Sequence, residues 1–137
     1  MIDVAILGAG ELGGLLAHVL ARRDVVSAIR LIDKTGQVAA GKALDIMQSA
    51  PIERFSTRVT GATDVGAVAG ARVIVIADQM ADGEWQGDAG MLLLKQITFA
   101  ARTGVVVCAG ASQRELVERA VRELRFHRNR VFGSAPR

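Results

Sequence analysis

A glycine-rich turn near the start of the chain, Gly-x-Gly-x-x-Gly from Gly8 to Gly13, is the feature that most constrains the fold. The apolar run at residues 2–7 precedes it in the pattern of a buried strand, and leucines at helical spacing follow it. Gly8 permits a tight turn out of the strand, and Gly10 has no side chain to block a phosphate. Gly13 lets the helix pack closely on the sheet.

The N–H groups at the start of this helix predict an anion site. A second apolar run, residues 28–32, ends on Asp33, about twenty residues after Gly13, where a carboxylate binds the ribose hydroxyls of a dinucleotide. Because that carboxylate repels the extra phosphate of NADP, we predict NAD as the cofactor. The predicted cofactor-binding residues are Gly8, Gly10, Glu11, Leu12, Gly13 and Asp33. The alternative is an ordinary βαβ turn in which Asp33 caps the next loop. One observation opposes cofactor binding, because the Glu11 side chain is negative at the helix entrance, although it could point to solvent.

Apolar runs alternate with helical patterns along all 137 residues, and half of the residues are hydrophobic. We therefore predict an α/β fold of Rossmann type, in a single domain spanning residues 1–137. Its doubly wound parallel sheet has six strands in the order 3-2-1-4-5-6. The predicted strands are residues 2–7, 28–32, 57–60, 72–77, 105–109 and 130–133.

The predicted helices follow from apolar spacing and from helix-stop residues. After the first helix they cover residues 36–49, stopped by Pro51, then 89–102, and then a helix capped by Ser112 and reaching about Arg125. Asp64 is predicted to cap a short helical turn, and residues 78–88 to form a polar loop. The predicted apolar faces comprise Leu12, Leu15, Leu16, Val19 and Leu20; Val38, Leu44, Ile46 and Met47; and Leu92, Leu93, Ile97 and Ala101.

Composition excludes several classes of protein. The formal net charge is only +3, and the arginines near the end alternate with glutamates, which is typical of a solvated helix face. We therefore expect no nucleic-acid partner. Cys108 is the single cysteine, predicted to be a buried structural thiol, and its isolation favours a reducing, cytoplasmic location. No apolar run is long enough to cross a membrane, and Asp3 and Glu11 argue against a signal peptide.

The chain resembles the malate/lactate dehydrogenase family. The resemblance rests on the turn and Asp33, on Gly41-Lys42-Ala43-Leu44-Asp45-Ile46-Met47-Gln48, on Val73-Ile74-Val75-Ile76-Ala77, and on Asn129-Arg130-Val131-Phe132-Gly133-Ser134. It implies the NAD-binding half of a 2-hydroxy-acid oxidoreductase. It also implies a homodimer or higher homo-oligomer formed through the helix predicted between Gly36 and Ser49, where Asp45 is either a subunit contact or an exposed residue.

Departures from the family pattern affect catalysis most. The loop at residues 77–88, where the family places substrate-binding arginines, has four carboxylates and no arginine or lysine. Gln79 stands where the family has a glycine, and Ala109-Gly110 stands where it has Asn-Pro. The family's catalytic Asp–His pair lies in a second domain that this sequence does not include, and His18 and His127 are predicted to be packing or surface residues. We therefore predict no catalytic and no metal-binding residue.

Three functions remain open from the sequence. The first is an NAD-binding domain that is not catalytically competent alone. The second is an interaction or regulatory module that has kept the fold and lost its cofactor and substrate sites. The third is an NAD-dependent enzyme with a different small substrate. Trp85 is predicted to anchor its loop on the domain, with capping of a nucleotide or of a partner surface as the alternative.

Overall fold

Strands and helices alternate along residues 2–110 and 114–133, the part of the chain that the computed structural model describes. In chain order these are β1 (Val4–Leu7), α1 (Glu11–Arg23), β2 (Ala28–Ile32), α2 (Val38–Glu53), β3 (Arg58–Ala62), a 3-10 helix (Val65–Val68), β4 (Val73–Ile76), β5 (Asp78–Gln79), β6 (Gly83–Glu84), α3 (Gly87–Ala100), β7 (Val105–Cys108), α4 (Arg114–Glu123) and β8 (Val131–Gly133). The main sheet has the order β3-β2-β1-β4-β7-β8, with every neighbouring pair parallel. This confirms the predicted Rossmann order.

Helices cover both faces of the sheet, which is why β1 is apolar at every position. Val4 and Ile6 pack in the core on the side of α1 and α2, whereas Ala5 and Leu7 pack in the core on the side of α3 and α4. Alternate side chains of a strand point to opposite faces, so a strand buried on both sides needs a continuous apolar run. The doubly wound arrangement predicted from the sequence is therefore confirmed.

Three leucines that the helical pattern placed on apolar faces are more than half exposed: Leu15 (61%), Leu44 (59%) and Leu92 (58%). Small residues form the buried stripe of α1, which is Gly13, Ala17 and Ala21. Helices with small contact residues lie close to the sheet, and larger side chains then flank the contact. The buried face of α3 consists of Gly90, Met91, Leu93, Leu94 and Ile97, so the predicted inward position of Leu92 is wrong.

Two further predictions, the end of α2 and the polar loop at residues 78–88, differ from the structure. Helix α2 continues past Pro51 to Glu53 and ends where Arg54 adopts a left-handed conformation, with φ of 60°. Pro51 lacks an N–H and so removes one helical hydrogen bond, and only two residues of the helix follow it. The predicted polar loop contains the antiparallel hairpin β5–β6.

The remaining elements lie within a few residues of their predicted positions. The Asp64 side chain accepts a hydrogen bond from Gly66 N at 3.1 Å, as predicted for a cap. The predicted cap at Ser112 lies outside the described residues. Among the helices of residues 2–110 and 114–133, none combines the length and apolarity needed to span a bilayer.

Candidate functional site

The glycine-rich turn connects β1 to α1 at the carboxyl edge of the sheet. Gly8 has φ of +106°, in the region that favours glycine, and a side chain there would also overlap the backbone of Asp78. A Cβ on Gly13 would overlap the carbonyl oxygen of Gly8. The fold itself therefore requires glycine at both positions, in agreement with the turn and packing roles predicted for them.

One residue from the distant β4–α3 segment binds the donor groups of this turn. Asp78 accepts hydrogen bonds from Leu12 N (Oδ2, 3.1 Å) and Gly13 N (Oδ1, 2.8 Å). Its backbone carbonyl accepts another from Gly10 N at 2.9 Å. The N–H groups of a first helical turn carry partial positive charge and favour an anion. In this structure the anion at the predicted site is the carboxylate of Asp78.

The space that Gly10 was predicted to leave for a pyrophosphate is filled. A Cβ built on Gly10 would lie 2.5 Å from Asp78 Oδ2, so the carboxylate occupies the place that the missing side chain leaves. Glu11 is exposed at the helix start and lines the same shallow groove as Asp78, which places a second carboxylate there. In the described arrangement the turn does not fit a pyrophosphate, because Asp78 fills the position of the phosphates and binds three of the turn's N–H donors.

Asp33 is only 2% exposed, and its carboxylate holds three loops together. Oδ2 accepts hydrogen bonds from Ala9 N (2.8 Å) and Met80 N (2.9 Å), and Oδ1 accepts one from Thr35 N (2.9 Å). Burial alone would raise the pKa of Asp33, but the three backbone donors outweigh it and hold the pKa below its ordinary value. This arrangement resembles the loop-capping interpretation of Asp33 more closely than a carboxylate free for ribose hydroxyls.

Lys42 is a residue of this site that the sequence analysis did not single out. Its Nζ donates hydrogen bonds to the carbonyl oxygens of Ala9 and Gly10, the latter at 3.2 Å, and so ties α2 to the turn. The side chain crosses α1 at Gly14, where a Cβ would lie 3.3 Å from Lys42 Cδ. In the sequence, the second glycine of the Gly13-Gly14 pair was the feature that could have indicated a side chain crossing α1 at this position.

A cavity of about 520 Å³ lies beside Asp33, between the ends of β1 and β2, the β5–β6 hairpin and α3. Leu92 lines it, which accounts for the exposure of that leucine. Gln79 also lines it and is 7% exposed, and its Oε1 has no hydrogen-bond partner among the described residues. Trp85 is half-buried against the core on the α3 side, as predicted for a loop anchor. It also lines the cavity, so the alternative role of capping a nucleotide stays a prediction.

The histidines and the cysteine have structural surroundings. His18 Nε2 lies 2.7 Å from Glu53 Oε1 and links α1 to α2. His127 is exposed. Cys108 is buried, as predicted, and burial raises the pKa of its thiol to about 12. In the described part of the chain, no three His, Cys, Asp or Glu side chains are grouped closely enough to hold a metal ion.

Comparison with known proteins identifies relatives of this architecture. The family model described as lactate/malate dehydrogenase, NAD binding domain, matches residues 2–85. The malate dehydrogenase of Thioalkalivibrio sulfidiphilus is 31% identical over 144 aligned residues, which cover 98% of this chain and 47% of that protein. The malate dehydrogenase of Cytophaga hutchinsonii is 46% identical over 76 residues, which cover 55% of this chain and 24% of that protein.

Solved structures give the same result. The malate dehydrogenase from Salinibacter ruber matches with a TM-score of 0.84 and 27% identity, covering 98% of this chain and 45% of that one. The malate dehydrogenase from Plasmodium falciparum in complex with NADH matches with a TM-score of 0.85, covering 97% of this chain and 43% of that one; at 17% identity this shows the fold alone.

The matches cover most of this chain but only part of each relative. The chain spans at most about half the length of the relatives it matches. Because the family model covers more than half of the chain, the chain belongs to the lactate/malate dehydrogenase family, in which it corresponds to the NAD binding domain.

Proposed function

We propose that this chain is the cofactor-binding part of a malate/lactate dehydrogenase-type 2-hydroxy-acid oxidoreductase and that it does not turn over substrate by itself. One observation carries the proposal: the last residues of β1 and β2, Leu7 and Ile32, together with Asp33 border a cavity of about 520 Å³ at the carboxyl edge of the parallel sheet, beside the glycine-rich turn. Ligands of open α/β sheets bind at this edge, where the strand order reverses. The loop at residues 77–88 has no cationic side chain for a substrate carboxylate, which supports the lack of turnover.

The cofactor we propose is NAD, with its adenosine end in the cavity. The proposed contacts are Gly8, Gly10, Glu11, Leu12, Gly13 and Asp33. Asp33 contributes a negative charge at the cavity wall, which disfavours the extra phosphate of NADP. Asp78 occupies the pyrophosphate position, so full engagement of the turn requires this side chain to move.

Thermal unfolding of the purified chain with millimolar NAD, NADH or NADP tests the proposal. At a ligand concentration ten times Kd, stabilisation is about 1.4 kcal/mol, which raises Tm by roughly 5 °C for a domain of this size. We expect this shift with NAD and NADH and a smaller one with NADP. Ala89→Phe, which fills the cavity rim, should abolish the shift. Lys95→Phe, on the same helix but outside the cavity, should retain it. No shift with any nucleotide at millimolar concentration would refute the proposal.

We also propose that the chain forms homodimers or higher homo-oligomers through α2 and the adjoining face of α1, in the cytoplasm. Leu44 and Ile52 on α2 and Leu15 on α1 are all more than half exposed, and large exposed apolar side chains favour association. Light scattering should show a dimer or larger species that Leu44→Glu dissociates. Phe99→Glu, an equally apolar exposed position on α3, is the matched control. A monomer at high concentration would contradict this proposal, and cell fractionation tests the location.

A further inference from the structure

We propose that Asp78 determines which part of a dinucleotide this site accepts: its carboxylate excludes the pyrophosphate, so that the site selects the neutral, phosphate-free adenosine part. This inference rests on the proposed function and concerns the selectivity of the same site. It starts from the misfit between the glycine-rich turn and a pyrophosphate.

Three of the N–H donors that a pyrophosphate would use are bound by one residue. Gly10 N, Leu12 N and Gly13 N donate to the carbonyl and to both carboxylate oxygens of Asp78, at distances of 2.8–3.1 Å. Hydrogen bonds to a carboxylate are stronger than those between neutral groups. A phosphate oxygen entering this position must therefore displace a bound anion that belongs to the chain.

The surrounding charges strengthen the exclusion. Glu11 adds a second carboxylate along the groove in front of the turn. Lys42 is the cation hydrogen-bonded to the turn among the described residues, and its Nζ is directed at two carbonyl oxygens, those of Ala9 and Gly10. A pyrophosphate at the turn would thus bring its negative charge next to the carboxylates of Asp78 and Glu11, and like charges repel.

The neighbouring cavity stays open to a neutral ligand. Asp78 and Gln79 are the two residues of β5, and successive side chains of a strand point to opposite sides. Accordingly, Asp78 fills the turn whereas Gln79 lines the cavity. Gln79 Oε1 is a buried acceptor with no partner in the described structure, and a buried acceptor is costly unless a donor reaches it. Because Oε1 has almost no accessible surface, the Gln79 amide must turn towards the cavity before the exocyclic amine or a ribose hydroxyl of adenosine supplies this donor, which adds no charge.

Isothermal titration of the whole chain with adenosine, NAD and inorganic pyrophosphate tests this inference. In the unsubstituted chain we expect NAD to bind no more than about threefold tighter than adenosine, and pyrophosphate not to bind. Asp78→Ser should tighten NAD binding at least about tenfold and create pyrophosphate binding, with adenosine unchanged. Asp88→Asn, an exposed carboxylate at the start of α3, removes the same charge away from the turn and should change nothing.

The outcomes separate this inference from the function on which it rests. If the unsubstituted chain binds NAD tenfold tighter than adenosine and Asp78→Ser does not improve it, the inference is overturned and the proposed function stands. If Asp78→Ser gains pyrophosphate binding but no variant binds NAD, Asp78 has the proposed role and the cofactor assignment is wrong. Binding of neither adenosine, NAD nor pyrophosphate by any folded variant overturns both. Asp78→Asn, which keeps one acceptor oxygen for the turn, replaces Asp78→Ser if the serine variant does not fold.

Discussion

Replacing Asp33 with alanine tests whether the main role of this carboxylate is to stabilise the fold or to bind a ligand. Its two oxygens accept hydrogen bonds from the turn after β1 (Ala9 N), from its own loop (Thr35 N) and from the β5–β6 hairpin (Met80 N). Three segments that are distant in sequence therefore meet at one buried side chain. If this interpretation is correct, the alanine variant loses stability before any cofactor is considered.

The expected loss follows from the three donors. A buried N–H left without a partner costs about 1–3 kcal/mol. Ala9 is fully buried and bears the full cost, whereas the residues that carry the other two donors are partly or largely exposed, so water can reach them at a lower cost. We therefore expect Asp33→Ala to lower the free energy of unfolding by about 3–5 kcal/mol, a large fraction of the 5–15 kcal/mol typical of a domain. Asp33→Asn can place its remaining oxygen towards Ala9 and Met80, so we expect a loss of about 1–2 kcal/mol.

Urea unfolding followed by circular dichroism measures this loss. With a denaturant dependence of roughly 2 kcal/mol per molar, Asp33→Ala should lower the midpoint by about 2 M. Asp82→Asn is the matched control: this exposed carboxylate of the β5–β6 turn pairs with Lys34 at 3.1 Å, and exposed ion pairs contribute about 0–1 kcal/mol. The reasoning fails if Asp33→Ala unfolds within about 1 kcal/mol of the unsubstituted chain while NAD affinity falls tenfold. That result would identify Asp33 as a ribose ligand.

Two further predictions follow from ionisable groups. Hydrogen bonds from Ala28 and Ser27 hold the pKa of Asp3 below its ordinary value, and a hydrogen bond from Ser56 does the same for Asp24. The folded-state pKa values of Asp3, Asp24 and Asp33 are all lowered, so the stability that these carboxylates contribute is complete above the unfolded carboxyl pKa. This stability is lost as the pH falls below about 4. The urea midpoint should therefore be lower at pH 3 than at pH 7. Cys108, whose pKa is raised to about 12 by burial, should react with a thiol reagent at pH 8 only at the rate of unfolding; rapid labelling of the folded chain would contradict this.

Local sequence patterns were sufficient for the architecture. The continuous apolar runs and the helical spacings, with glycines at the turn after β1, predicted the Rossmann order that the sheet shows. These signals are local because strand, turn and helix preferences depend on neighbouring residues. They were less reliable for helix faces: Leu15 and Leu92 lie outside the buried stripes, since a periodic pattern does not specify which side of a leucine-rich helix lies closest to the sheet.

The state of the site depended on tertiary structure. The turn and Asp33 were recognisable from the sequence alone, but nothing near Asp78 in sequence indicated that its carboxylate would bind the first turn of α1, about 65 residues earlier. Nor could Asp33 be assigned to loop capping until Ala9 and Met80 were seen to converge on it. The sequence by itself determined that the chain builds an anion-binding helix start at the edge of a parallel sheet. Which anion lies there was decided only when the β5–β6 hairpin packed against it, because a backbone donor has no preference between a ligand phosphate and a carboxylate of its own chain.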